Sequence, residues 1–314
     1  MFERLGIALG GEHLAPIEVC TPNEQLLVTA DTMVPDVHYF ADIEAGSVGH
    51  KLAAVNLSDI AAMGGEPKAA ILQLSGFDPS APHDVVWLGE FAKGLFGLLD
   101  AFEVKLLGTT AHRGGTPLTL QLLGTVPTGT ALRRDQAEPG DLIFVTGTLG
   151  DAALALGLEL RDEQSGLESL VASRLHRPTP RVAVGQALRG IASAAIDISD
   201  GLASDLGHIV SRSQVGALIM ASVLPRSVSF NTLIGPRDPL SLCLHGGDDY
   251  ELLFTAPERA RDEVQRIAQR LDCPITEIGR LSSDYEGVWI RQHNGTTVHL
   301  PAGGYQHFAN DAEE

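Results

Sequence analysis

The chain is short of basic residues: 22 Lys and Arg stand against 40 Asp and Glu, a formal net charge of −18 over 314 residues. A nucleic-acid surface needs a basic footprint, so no nucleic-acid partner is expected. Docking on anionic lipid is disfavoured for the same reason. An acidic protein can still hold polyanions when divalent cations reverse the local sign. Long apolar runs are missing too. No stretch approaches the roughly 20 apolar residues of a membrane span, so no membrane partner is expected. The start, Met1-Phe2-Glu3-Arg4-Leu5-Gly6, is too mixed in charge to read as a secretory signal. Cysteine is scarce: Cys20, Cys243 and Cys273 are far apart, with no Cys-x-x-Cys pair. They read as buried thiols in a reducing, cytoplasmic setting rather than as a disulfide or zinc framework. No Gly-Lys-Ser/Thr follows a glycine-rich turn, which excludes a Walker P-loop. Gly147-Thr148-Leu149-Gly150-Asp151 lacks the third glycine of a dinucleotide fold.

What the chain does carry is a set of short acidic motifs where strands and turns should meet loops. They read Thr29-Ala30-Asp31-Thr32, Asn56-Leu57-Ser58-Asp59, Asp197-Ile198-Ser199-Asp200-Gly201 and Gly246-Gly247-Asp248-Asp249-Tyr250-Glu251. Asp and Asn with Ser, Thr and Gly supply the hard oxygen ligands and tight turns that hold Mg²⁺ on a nucleotide's phosphates. Asp and Gly also mark ordinary surface turns, but four such motifs spread over both halves are hard to explain that way.

The pattern predicts an α/β (α+β) chain of two domains. Leu26–Ala30 reads as a strand ending on Asp31, and Leu52, Val55 and Ile60 recur at helical spacing, putting Asn56 and Asp59 one turn apart. Ala69–Leu74 is a second strand and Val86–Phe102 a long apolar helix. Val104–Leu107 and Leu118–Val126 are strands around a Gly/Thr-rich loop, with Leu118, Leu120 and Leu122 alternating against Thr119 and Gln121. Pro127–Gly140, rich in Pro, Gly and charge, is the expected junction, giving domains 1–130 and 131–314. Beyond it come a strand at Leu142–Thr146 and a helix from Asp151. Leu160–Arg177 reads as a polar, mobile insertion, and a helix is expected from Pro180. The remaining elements are a strand at Ala194–Ile198, a helix at Leu202–Val210, strands at Gly216–Val223 and Glu251–Thr255, and an amphipathic helix at Glu258–Leu271. Val288–Ile290 and Thr297–Leu300 form a hairpin.

Taken in order and spacing, these segments resemble the thiamine-monophosphate kinase family, within the wider aminoimidazole ribonucleotide synthetase-like group. The resemblance is carried by Val28–Val34 with Val37-His38-Tyr39-Phe40, by Lys51–Gly64, by Leu132-Arg133-Arg134 with Pro139-Gly140-Asp141, and by Val145–Asp151. Asp197–Gly201, Gly247–Phe254 and Gly304-Tyr305-Gln306-His307-Phe308 complete it. It implies a two-domain aminoimidazole ribonucleotide synthetase-like fold whose N-terminal domain forms a dimeric β-barrel and binds ATP and Mg²⁺, with a C-terminal substrate-side domain. It also implies a homodimer that phosphorylates thiamine monophosphate with ATP, using several Mg²⁺ ions. The implied metal residues are Thr29, Asp31, Asp59, Asp197 and Asp200. Ser199, Arg134 and Thr110 would meet ATP. His38, Asp248, Asp249, Glu251 and Tyr305 would meet substrate, Tyr305 offering an aromatic face to a cationic ring.

Bland readings stand beside several of these. His38 fits a satisfied polar residue as well as a ligand, and Tyr305 and Phe308 fit tail-docking aromatics. Asp151 reads as a cap for its helix, Asp141 as a turn residue, and of Arg133 and Arg134 at most one reaches phosphate. The chain also departs from the family pattern twice. Where the family carries Gly-Asp-Asp, this chain has Leu14-Ala15-Pro16, and Gly108-Thr109-Thr110-Ala111-His112-Arg113-Gly114 puts Thr110 where a metal-binding Asp belongs. A neutral hydroxyl is a much weaker magnesium ligand than a carboxylate. The alternatives are therefore a relative that binds ATP or thiamine phosphate without turnover, or an ATP-dependent enzyme acting on another substrate.

Overall fold

The computed structural model describes residues 20–78, 80–160, 168–301 and 303. They fall into two compact units. One comprises the chain up to Ala131 together with His176–Gln186; the other comprises Leu132–Leu175 and the chain from Ala187.

The first unit runs β1 (Glu24–Met33), α1 (Ala45–Ala62), β2 (Glu66–Ser75), α2 (Pro82–Ala101), β3 (Lys105–His112) and β4 (Leu118–Pro127). Its strands form a four-stranded sheet in the order β1-β4-β2-β3, parallel only between β2 and β3. The alternation in β4 is as expected, with Leu118, Leu120 and Leu122 fully buried. On β1 the same period of two sets Leu27, Thr29, Asp31 and Met33 on one face and Leu26, Val28, Ala30 and Thr32 on the other, exposed face. β1 runs well past the short strand expected, and α2 starts earlier because Pro82 is favoured in a first helical turn. α1 is buried almost all round. It lies so close to α2 that a Cβ on Gly94 would come 1.7 Å from the Gly46 carbonyl oxygen, and one on Gly49 2.0 Å from that of Phe91.

Residues 176–186 run along α1 although they follow it by more than a hundred positions. Arg177 Nε donates to Ser47 Oγ (3.0 Å), His50 Nε2 bonds the Pro178 carbonyl (3.0 Å), and Gln186 Nε2 donates to the Gly65 carbonyl (3.1 Å). Gly185 leaves room for Ala61, whose carbonyl oxygen would sit 2.0 Å from a Cβ there.

In chain order, the second half adds β5 (Leu142–Thr146), α3 (Asp151–Glu159), α4 (Glu168–His176), α5 (Val182–Ala187), β6 (Ala194–Asp197), α6 (Leu202–Ser213), β7 (Gly216–Met220), α7 (Val228–Leu233) and α8 (Pro239–His245). It ends with β8 (Leu252–Ala256), α9 (Arg261–Arg270), β9 (Ile275–Ser282), β10 (Val288–Arg291) and β11 (Thr297–Leu300). A mixed sheet in the order β11-β10-β7-β9-β5-β8-β6 forms the second unit's core. β5 and β8 are buried at every position, which explains their near-continuous apolar sequence. The β10–β11 hairpin is present as expected. The mobile insertion expected over Leu160–Arg177 is corrected: Glu168–His176 is helix α4, seated by buried Val171 and Leu175 four residues apart. Residues 161–167 lie outside the described residues. No described helix is long and apolar enough to cross a membrane.

Candidate functional site

Each unit presents its own acidic cluster. In the first, β1 and α1 bring the two motifs together: Thr29 Oγ1 donates to Asp59 Oδ2, and Asp31 shares the Thr29 face of β1. One turn before Asp59, Asn56 is fully buried; its Nδ2 donates to the Leu52 carbonyl (2.9 Å), while its Oδ1 has no hydrogen-bond partner among the described residues. The loop between β1 and α1 holds His38, whose Nδ1 accepts the Val34 N–H (3.1 Å). Lys51, 3% exposed, donates to the His38 carbonyl (3.2 Å).

Thr110 is exposed, and strand register explains why. A bulge between Ala70 and Ile71 skips one residue of β3, so the row through Asp31 reads Leu120, Leu72, Thr109. A one-residue slip exchanges faces. Thr109 therefore shares the Asp31 face, with a buried Oγ1 that lacks a hydrogen-bond partner among the described residues, and Thr110 points the other way. β1 and β3 are opposite edges, three strand spacings or roughly 14 Å apart.

In the second unit, β6 ends on Asp197, 4% exposed, and Gly201 turns the chain into α6 at a φ of +110° that a side chain would strain. Asp205, in the first turn of α6, reaches back to accept the Ser199 and Asp200 N–H groups (both 3.1 Å). One turn on is His208, and ligand atoms of Asp200, Asp205 and His208 all lie within 4.8 Å of one another. Burial first, then the charges of Asp197 and Asp200, push the Asp205 carboxyl up to about 7. A carboxyl raised in the folded state favours folding while protonated, and that contribution is lost as pH rises from about 4 to about 7. In chelator, the wild type is expected to lose on the order of 2–4 kcal/mol of stability between pH 4 and pH 8 relative to Asp205→Asn. Urea melts of both proteins across that range measure it; parallel profiles would contradict it.

The Gly246–Glu251 loop runs beside this turn. Asp248 N–H donates to the Ser199 carbonyl (2.9 Å), Tyr250 N–H to that of Ile198 (2.8 Å), and Ile198 N–H to that of Glu251 (2.8 Å). Asp248 and Tyr250 both take left-handed backbone, φ +64° and +48°, and the Tyr250 hydroxyl donates to Asp248 Oδ1 (3.0 Å). Asp249 and Glu251 turn inward. Asp249 accepts the Gly150 N–H with both oxygens (3.0 and 3.1 Å), and burial holds its carboxyl well above the usual range. Glu251, fully buried, accepts Thr146 Oγ1 (2.6 Å) and the Arg174 guanidinium. Of the three acids, the structure leaves only Asp248 partly open to solvent.

Arg134 is exposed and forms no ion pair among the described residues, whereas Arg133 is held by Asp135 through two bonds (2.9 and 2.6 Å). Asp151 does not cap its helix. It is the first residue of α3, 1% exposed, and accepts Thr148 Oγ1 (2.7 Å) and Ser227 Oγ (2.5 Å). Asp141 serves its turn as expected, accepting the Glu138 N–H (3.0 Å). The Gly303 carbonyl lies 3.4 Å from His245 Nδ1, at the start of the 246–251 loop. Tyr305 itself, like Leu14–Val19, lies outside the described residues.

The chain matches the AIR synthase related protein N-terminal domain over residues 11–127 and the AIR synthase related protein C-terminal domain over residues 138–290. It is 42% identical over 314 residues to the thiamine-monophosphate kinase of Escherichia coli (strain K12), covering 98% of this chain and 94% of that protein. The chain belongs to the thiamine-monophosphate kinase family. A crystal structure of thiamine-monophosphate kinase from Stenotrophomonas maltophilia K279a superposes with a TM-score of 0.81 at 43% identity, covering 90% of this chain and 87% of that one. The structure of AaThiL complexed with AMPPCP and TMP gives a TM-score of 0.80 at 30% identity, covering 98% and 94%. The family resemblance pointed to Asp197 and Asp200 but not to Asp205, His208 or Arg174. The three-residue spacing of Asp205 and His208 on one helix face was the available signal for that pair. Arg174 had none, because its partner lies 77 positions away.

Proposed function

We propose that this chain transfers the γ-phosphoryl group of ATP to thiamine monophosphate, giving thiamine diphosphate and ADP. The observation that carries the reading is the retention of acidic clusters in both units, Thr29–Asp59 with Asp31 in one and Asp197–Asp200–Asp205 in the other. The second is suited to a hard cation: three carboxylates crowd together, and burial, with the charges of Asp197 and Asp200, pushes Asp205 up to about 7. Asp31 and Asp59 would hold Mg²⁺ in the first unit, and Asp197 and Asp200 in the second. Mg²⁺ supplies charge neutralisation for two polyanions brought together. Arg134, exposed and without an ion pair among the described residues, would meet a nucleotide phosphate, with Ser199 beside it in role. Asp248, partly open to solvent, would be the acid that faces the cationic thiamine ring, with buried Asp249 and Glu251 supporting it from within. His38 and Tyr305 complete the substrate contacts. The acceptor is a phosphate monoester, already anionic near neutral pH, so the reaction requires position rather than a protein base.

The exposed face of edge strand β1, with Leu26 48% and Val28 64% exposed, supports a homodimer in which a second copy covers this sheet and completes a barrel. The acidic charge and the relatives' activity support a cytoplasmic enzyme. The solvent-facing Thr110 favours a second reading, a family member that binds nucleotide without turnover. A panel of acceptors with γ-labelled ATP separates them. Transfer to thiamine monophosphate, but not to thiamine or to unrelated monoesters, is expected; saturable AMPPCP binding with no labelled product would establish the binder.

A further inference from the structure

We propose that Arg174 is a positioning residue for the acceptor loop: its ion pair with buried Glu251 fixes the backbone that presents Asp248 beside Ser199. The assignment of Asp248 to the acceptor rests on the kinase reading above; the clamp itself rests on geometry. Glu251 is fully buried and Arg174 is 20% exposed at the side chain, so this ion pair is shielded from water. The Glu251 carboxylate fills the space over Gly147, where a Cβ would fall 2.0 Å from Oε1, and Gly147 holds a φ of +57°. Thr146 Oγ1 donates to Glu251 and in turn accepts the Leu252 N–H (2.8 Å), tying the pair to β8. The same guanidinium acts electrostatically on Asp249, whose oxygens hold the Gly150 N–H. Alternate residues of the loop are thereby locked inward, and Asp248 and Tyr250 are left to adopt their left-handed turns toward the Ser199 strand end.

A buried carboxylate that loses a cationic partner is strongly disfavoured in place. The loop rather than the sheet should yield, because β8 is secured on both sides by β5 and β6. Arg174→Met is expected to raise KM for thiamine monophosphate at least tenfold, with kcat and KM for ATP within threefold of wild type. Hydrogen exchange at the Asp248 and Tyr250 amides should quicken at least tenfold while β8 amides stay protected. Arg174→Lys should recover part of both effects. The Arg174→Met/Glu251→Gln double variant removes the stranded charge, so it remains folded if the single variant does not, and it should keep the raised KM. Wild-type KM and wild-type loop exchange in these variants would overturn the proposal. So would equal loss of protection in the loop and in β8, which marks a general structural role. A wild-type protein that makes no thiamine diphosphate would sink the kinase reading instead, leaving the clamp to be judged on exchange alone.

Discussion

Asp59→Ala is expected to lower thiamine diphosphate formation by about 10²–10³-fold, the range for removing one major electrostatic contributor. Asp59 sits on α1 with its carboxylate held by Thr29, so it links the first strand's acidic end to the helix. No other described residue of α1 can replace its charge at that face. Alanine is the best helix former and Asp59 is one of the few α1 residues not fully buried. Folding should therefore change by less than about 1 kcal/mol. Circular dichroism melts confirm the fold, and single-turnover assays with saturating ATP read the rate. Wild-type turnover in a folded variant would remove Asp59 from the site.

The second large effect concerns how that helix is held. Gly94→Ala places a methyl group 1.7 Å from the Gly46 carbonyl oxygen, and neither atom is the end of a flexible side chain. α2 has to withdraw from α1, opening the interface that fixes the height of Asp59 above the sheet. The expected loss is at least about 3 kcal/mol, against the gain of up to about 1 kcal/mol that Gly→Ala gives in an open helix position. Gly97→Ala is the control on the same helix: nothing lies within 4 Å of its Cβ, so that variant should be neutral or stabilised. Urea unfolding midpoints of the pair decide the point, and similar midpoints would mean that the α1–α2 contact is looser than described.

The sequence disclosed this architecture wherever a local signal existed. β4 announced itself by alternation, the β10–β11 hairpin by its Asn294-Gly295 turn, and α1 by the spacing of Leu52, Val55 and Ile60. The acidic motifs were legible because Asp, Ser and Gly at strand ends are chemically distinctive. What stayed hidden depended on distant pairing. α4 is short and polar, and its stability comes from Val171 and Leu175 reaching the core and from Arg174 meeting Glu251. Which face Thr110 takes depends on a bulge opposite β2 that no residue of the Gly108–Gly114 loop reveals. Three acids within four residues of one loop looked equivalent in sequence, yet left-handed backbone at Asp248 and Tyr250 sends Asp248 one way and Asp249 and Glu251 the other. The inward pair is spoken for by Gly150, Thr146 and Arg174, which only the folded chain brings together.

The most direct test of the account is chromatographic measurement of thiamine diphosphate formed from ATP and thiamine monophosphate, with Mg²⁺ and with excess chelator. Metal-dependent product is predicted, showing that Asp31, Asp59, Asp197 and Asp200 sustain transfer where Ala15, Pro16 and Thr110 stand in place of acids. No product under saturating Mg²⁺, from protein that still binds AMPPCP, would contradict it.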